Sequence, residues 1–269
     1  MIFEKHPKCA ENDVDFARLN LRCNKKVMKK KMRASRKKIS AAAALILGAT
    51  LLAPLANPSA AHAIIGGEKA KSDSTVLLNI YLKKGGDWGC TGSLIGDRWV
   101  LTAKHCVSEA KSLDGIHTYH TNTRANPGPA IKAEKIFQHK DADIALIHLA
   151  SPIKINSYEK LAENLKVKKG QEATLLGFGV RDIVKETPSD GLYSAKIKVR
   201  SESVTEDGKV INFVKGTGVA GAGDSGGPVK IDGVVAGVLS TGPLREGIED
   251  MDVVNVSAYR SWIKEKSGI

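Results

Sequence analysis

Beyond residue 63, apolar positions come in short runs, many alternating with polar ones, and turn-forming Gly, Asp, Asn and Ser separate them. This pattern predicts strands over Thr75 to Leu82, Gly92 to Ile95, Trp99 to Thr102, Ile131 to Phe137, Ile144 to Leu149, Ala173 to Leu176, Ala195 to Val199, Val210 to Val214 and Val229 to Leu239. Within the last of these, Ile231-Asp232-Gly233-Val234 reads as a hairpin turn. Only the end reads helical: Ser257 as N-cap, then Tyr259, Trp262 and Ile263 on one side before Gly268. Many short strands at this spacing indicate an all-β sandwich or barrel of two packed halves in one domain.

The first 63 residues follow another rule. A basic run, Lys25 to Lys38, precedes an apolar run, Ile39 to Leu55, and small residues ending in Ala61-His62-Ala63. Basic, apolar, then A-x-A is the layout of a secretory signal peptide. A spanning helix would need about 20 apolar residues, whereas this run carries Ser, Gly, Thr and Pro. Residues 1–63 are therefore expected to be an N-terminal extension and signal peptide, and 64–269 a secreted, extracellular domain without stable membrane association after cleavage.

Charge divides at the same place. Of 41 basic and 29 acidic residues, 13 and 4 lie in 1–63, so the net +12 of the whole chain falls to +3 for 64–269. A surface so mildly basic gives no reason to expect nucleic acid as a partner. Cys9 and Cys23 leave with the leader, and Cys90 and Cys106 can form one disulfide. No metal-ligand cluster, phosphate loop or nucleotide motif appears, so neither cofactor nor metal is expected.

Gly223-Asp224-Ser225-Gly226-Gly227-Pro228 is the sharpest chemical signal. Glycines beside a serine permit a tight turn with exposed N–H groups, suited to an oxyanion, although a plain Gly-rich hairpin would use the same residues. A serine hydroxyl needs a base. His105, at the end of the apolar Leu101 strand and next to Cys106, is the candidate. A neutral imidazole needs an acceptor behind it, and Asp143, leading into an apolar strand, suits that role as well as it would suit a structural ion pair; Asp141 is its solvated neighbour.

Taken in order, Ile64-Ile65-Gly66-Gly67, Leu101-Thr102-Ala103-Lys104-His105-Cys106, Asp143-Ile144-Ala145-Leu146 and Gly223 to Pro228 resemble the chymotrypsin/trypsin-type serine proteases, in their secreted bacterial form. The resemblance runs from Ile64 to the Ser261–Lys264 helix. It implies two packed six-stranded antiparallel β-barrels with a C-terminal helix. It also implies a catalytic His105, Asp143 and Ser225, an oxyanion hole from the N–H groups of Gly223 and Ser225, and a Cys90–Cys106 disulfide. Ser240 would lie near Asp143, and Ser240 and Gly242 would bind an extended substrate. A freed Ile64 ammonium would pair with Asp224. Because Ala63 ends the A-x-A pattern, signal-peptide removal would itself expose Ile64.

The pocket departs from the family pattern. Val219 stands six before Ser225, where a trypsin-like preference for Arg or Lys would require aspartate. Met251 falls on the pocket wall, although a shift of one residue would bring Asp250 or Asp252 there. Gly221 replaces a bracing cysteine, and Lys104 beside His105 is expected to point into solvent. The expected function is a monomeric serine endopeptidase acting on proteins or peptides. The alternatives are a catalytically silent binding protein on the same fold and an esterase-like hydrolase.

Overall fold

The computed structural model describes residues 64–243, 245 and 247–269. The expected leader, with Cys9 and Cys23, lies outside the described residues. The strands are β1 (Glu68–Lys69), β2 (Thr75–Tyr81), β3 (Asp87–Gly96), β4 (Trp99–Thr102), β5 (Ile116–Tyr119), β6 (Ile131–Gln138) and β7 (Ala145–Leu149), then β8 (Glu172–Gly177), β9 (Tyr193–Thr205), β10 (Gly208–Lys215), β11 (Pro228–Ile231), β12 (Val234–Thr241) and β13 (Met251–Asn255). The first barrel closes in the order β2-β3-β4-β7-β6-β5. The second runs β9-β10-β13-β12-β11-β8 and closes because β8 also pairs with β9, while β1 adds to the outer edge of β9. All the ladders are antiparallel, so the fold is two six-stranded antiparallel barrels with a C-terminal helix.

Strand by strand, burial follows the sequence pattern. In β9 alternate residues from Tyr193 to Val199 are buried, as expected of a strand with one face toward a core. β2 does not alternate, because both of its faces are covered. Val76, Leu78 and Ile80 fill the first barrel, whereas Leu77 packs with Leu176, Phe178 and Leu192 in a separate cluster that joins strands of both barrels. The Ile231–Val234 hairpin forms as expected: Asp232 and Gly233 have φ +50° and +81°, the two positive values a tight hairpin turn needs.

Three strands escaped the reading: the two-residue β1, and β5 and β13. β1 is two exposed charged residues, and β5 and β13 are short and carry a polar residue at an outward position, His117 or Asp252, so none stands out as an apolar run. A short helix, α1 (Lys104–Ser108), also went unread. At the C-terminus the cap differs from expectation. Ser257 lies inside a 3-10 turn (Val256–Tyr259) whose N-cap is Asn255, and Asn255 Oδ1 accepts both the Ser257 N–H and its hydroxyl. The helix proper, α2 (Arg260–Ser267), starts after Tyr259 and ends on Gly268 in the left-handed conformation. Among the described residues no helix is long and apolar enough to cross a membrane.

Candidate active site

Three short segments meet beside one open cavity, and each is held there by contacts readable residue by residue. The first follows β4. The strand ends at Thr102, α1 begins at Lys104, and His105 sits in its first turn with its ring half exposed. Cys106 is buried and bonded to Cys90 of β3, S–S 1.98 Å, which ties this turn to the barrel wall. Lys104 does not point freely into solvent as expected: its ammonium donates to the carbonyls of His139 and Lys140 at 3.2 and 3.3 Å.

The second segment is the short connection from β6 to β7, which delivers Asp143 into the interior. Its carboxylate accepts the His105 backbone N–H on Oδ1 at 2.8 Å, and lies 2.7 Å from His105 Nδ1 through Oδ2. Ser240, near the end of β12, donates its hydroxyl to the same Oδ2 at 2.7 Å. Burial alone would raise the Asp143 carboxyl, but the His105 ring, the Ser240 hydroxyl and the His105 N–H favour the anion and hold it below the usual carboxylate range. An ionised carboxylate can only accept, so the imidazole proton belongs on Nδ1 and the lone pair on Nε2.

The third segment is the turn before β11. Gly223 and Gly226, at φ +97° and +81°, bracket Asp224 and Ser225. A Cβ on Gly226 would stand 2.1 Å from Thr102 Oγ1 and 2.3 Å from the Thr91 carbonyl, so only glycine lets the turn lie this close to β3 and β4. Thr91 also grips the turn by hydrogen bonds. Its N–H donates to the Ser225 carbonyl at 2.8 Å and its hydroxyl to the Gly223 carbonyl at 2.9 Å. Cys90 and Thr91, adjacent on β3, thereby anchor the His105 segment and the Ser225 segment at once.

Ser225 and His105 both line a cavity of about 1010 Å³, together with Asp143, Ser240 and Gly242. Glu206 and Asp207, in the β9–β10 turn, form part of its wall and were not foreseen. The Asp207 carbonyl accepts the Asp143 N–H at 3.0 Å, so the hairpin tip is fixed against the site. Burial first, then the Asp143 charge, pushes the Asp207 carboxyl up.

Asp224 is fully buried and faces away from this chemistry, accepting N–H groups from Gly179 at 2.7 Å and Gly221 at 2.8 Å. Burial pushes its carboxyl up to about 7. Ile64 is also fully buried, and Ile65 pairs with Val219, whose N–H donates to the Ile65 carbonyl at 3.0 Å. In the uncleaved chain the Ile64 nitrogen belongs to the peptide bond with Ala63. Val219 lines a smaller cavity of about 320 Å³ with Ile65, Lys215 and Ile248. Met251 is buried in the core of the second barrel, its sulfur accepting the Ala220 N–H at 3.4 Å. Cys90, His105 and Cys106 lie close enough together to resemble a metal-binding group, but both sulfurs are consumed in the disulfide.

A family model described as Trypsin matches residues 64–263. Kallikrein-8 of Rattus norvegicus is 29% identical over 205 residues, covering 66% of this chain and 77% of its own. An uncharacterized peptidase of Corynebacterium glutamicum (strain R) is 30% identical over 205 residues, covering 70% and 66%. Among solved structures, the scabies mite inactivated protease paralogue S-D1 superposes with a TM-score of 0.68 at 21% identity, covering 76% of this chain and 97% of that one, a likeness of fold alone.

Proposed function

From the premise that this chain belongs to the trypsin family, we propose that it is a secreted serine endopeptidase, released in active form by removal of residues 1–63. The observation that carries the reading is the chain of hydrogen bonds from Ser240 through Asp143 to His105, beside a cavity that Ser225 shares.

In this mechanism the Ser225 hydroxyl attacks the scissile carbonyl while His105 Nε2 takes its proton. The imidazolium so formed is stabilised by Asp143, which has already been driven to its anionic form. The negative oxygen of the tetrahedral intermediate is received by the N–H groups of Gly223 and Ser225, donors fixed before reaction by Thr91. His105 then returns the proton to the leaving amine, and water repeats the sequence on the acyl-enzyme. An extended substrate would pair with the backbone of Ser240 to Gly242 as an added strand. With Val219 rather than an aspartate at the position expected for the pocket base, an apolar or small P1 residue suits the enzyme better than a basic one.

Export and activation would be a single event. Cleavage after Ala63 creates the Ile64 ammonium, and Asp224, buried without a full counter-charge, is the group that would receive it. The precursor would remain inactive as long as Ile64 is internal.

The test is the intact mass and N-terminal sequence of the secreted protein, with and without a fluorophosphonate probe. A start at Ile64 and a single adduct, absent from Ser225→Ala, is the expected result. A protein that starts at Ile64 and takes no adduct overturns the endopeptidase reading in favour of a silent binding protein.

A further inference from the structure

We infer that Arg124, in the connection from β5 to β6, is a positioning residue that holds the Asp224–Ser225 turn in its working geometry by acting on Asp224 through a single peptide group; this rests on the endopeptidase reading above. The guanidinium donates from Nε and Nη2 to the Phe178 carbonyl at 3.1 and 2.9 Å. The next N–H along the chain, that of Gly179, donates to Asp224 Oδ1 at 2.7 Å. Cation and anion therefore stand at the two ends of the Phe178–Gly179 peptide unit, each where that unit's dipole favours it. A positive group at the carbonyl polarises the unit and strengthens its N–H as a donor, so the effect of the charge reaches the carboxylate without direct contact.

The side chain is seated for this task. A Cβ on Gly89 would come within 2.8 Å of Arg124 Nη2, and one on Gly223 within 3.6 Å, so the guanidinium lies between the β3 backbone and the glycine assigned to the oxyanion hole. Its own backbone is fixed, the Arg124 N–H donating to the Asp190 carbonyl at 3.0 Å. A third donor, Ser189 Oγ at 2.8 Å, also reaches the Phe178 carbonyl. Among the described residues, Arg124 is the charged side chain that acts on Asp224; the direct partners Gly179 and Gly221 are neutral. Burial lowers the guanidinium's pKa and Asp224 offsets that loss, which is the reciprocal sign of the same coupling.

The consequence concerns the alkaline range. The Ile64 ammonium created by cleavage is an α-amino group, which ordinarily loses its proton near pH 8, whereas a guanidinium stays charged throughout. As the ammonium deprotonates, Asp224 stays ionised, and Arg124 is left as the charge that offsets its burial and holds the turn in place.

The experiment compares mature wild type, Arg124→Gln and Arg124→Lys by kcat and KM against pH, with fluorophosphonate labelling and thermal midpoints recorded alongside. Arg124→Gln is expected to lower kcat about tenfold near neutrality, the scale of one lost charge-assisted hydrogen bond, with a smaller change in KM. Its alkaline limb should move roughly one pH unit inward. Arg124→Lys, which keeps a charge but loses the fork, should retain the wild-type limb with a reduced kcat. Gly89→Ala displaces the guanidinium without removing it, and carries the test by the same inward shift if Arg124→Gln does not fold. A labelled wild type whose alkaline limb is unmoved in the folded variant overturns the role of Arg124. A wild type that takes no label overturns the endopeptidase reading instead.

Discussion

Asp143 receives two hydrogen bonds from one residue: the His105 backbone N–H reaches Oδ1 at 2.8 Å and the ring Nδ1 meets Oδ2 at 2.7 Å. The pairing fixes the position of the imidazole and its tautomer together, because an acceptor-only carboxylate leaves Nδ1 no role but donor. The bond from Cys106 to Cys90 ties the backbone of the same turn to β3.

Asp143→Asn keeps the shape but offers Nδ1 an amide that can donate, which favours the wrong tautomer. Turnover should fall on the order of 10⁴-fold with a far smaller change in KM, measured by steady-state kinetics on a peptide substrate. A loss below tenfold would mean that the tautomer is set elsewhere.

Ser240→Ala removes one of the groups that favour the Asp143 anion. A carboxylate held below its ordinary range adds stability above the unfolded value near pH 4, and that stability is lost as pH falls through the folded value. The variant should lose about 1–3 kcal/mol at neutral pH and a smaller amount in strong acid, where Asp143 is protonated in both states. Equal losses by denaturant unfolding at pH 7 and pH 2 would contradict this account.

For Asp224 the sign reverses. Its carboxyl is pushed up to about 7 by burial in the uncleaved chain, so the folded precursor favours the protonated form. Stability is greatest below the unfolded value near pH 4 and falls as pH rises to about 7, by an upper bound on the order of 4 kcal/mol. Once Ile64 is free, its ammonium should cancel that loss. Thermal midpoints of a form retaining residues before Ile64 and of the mature form should therefore diverge between pH 4 and pH 7. Parallel curves would separate Asp224 from activation.

Gly226→Ala introduces a Cβ 2.1 Å from Thr102 Oγ1 and 2.3 Å from the Thr91 carbonyl, at φ +81°. Backbone strain and a clash with main chain add, so the loss should reach about 3 kcal/mol or more. Both the melting temperature and the labelling of Ser225 should fall, and a variant with wild-type stability would show that the turn relaxes freely.

Reduction of the Cys90–Cys106 bridge, which closes a loop of sequence separation 16, should lower stability by about 3 kcal/mol. Because the bridge also presents His105, activity should decline at concentrations of reductant that leave the barrels folded. Full activity after complete reduction, confirmed by thiol counting, would assign the positioning of His105 to Asp143 alone.

The order of short apolar runs was enough to predict an all-β chain of two halves, because side-chain alternation is a local property that each strand carries in its own residues. The four motifs, with their glycines and acids at set offsets, marked His105, Asp143 and Ser225 as candidates and Cys90 and Cys106 as a pair through their resemblance to a family, and they could do so because a tight turn needs particular residues next to it in the chain. β1, β5 and β13 were not legible, since strands this short depend on the neighbours that bond their edges. Nor was the part of Thr91, Asp207 or Arg124. Each acts on a residue far along the chain through a carbonyl, an N–H or a peptide dipole, and such backbone groups leave no mark on residue identity. Only closure of the two barrels brings those groups within reach, and so tertiary structure decided what surrounds the residues that the sequence had already named.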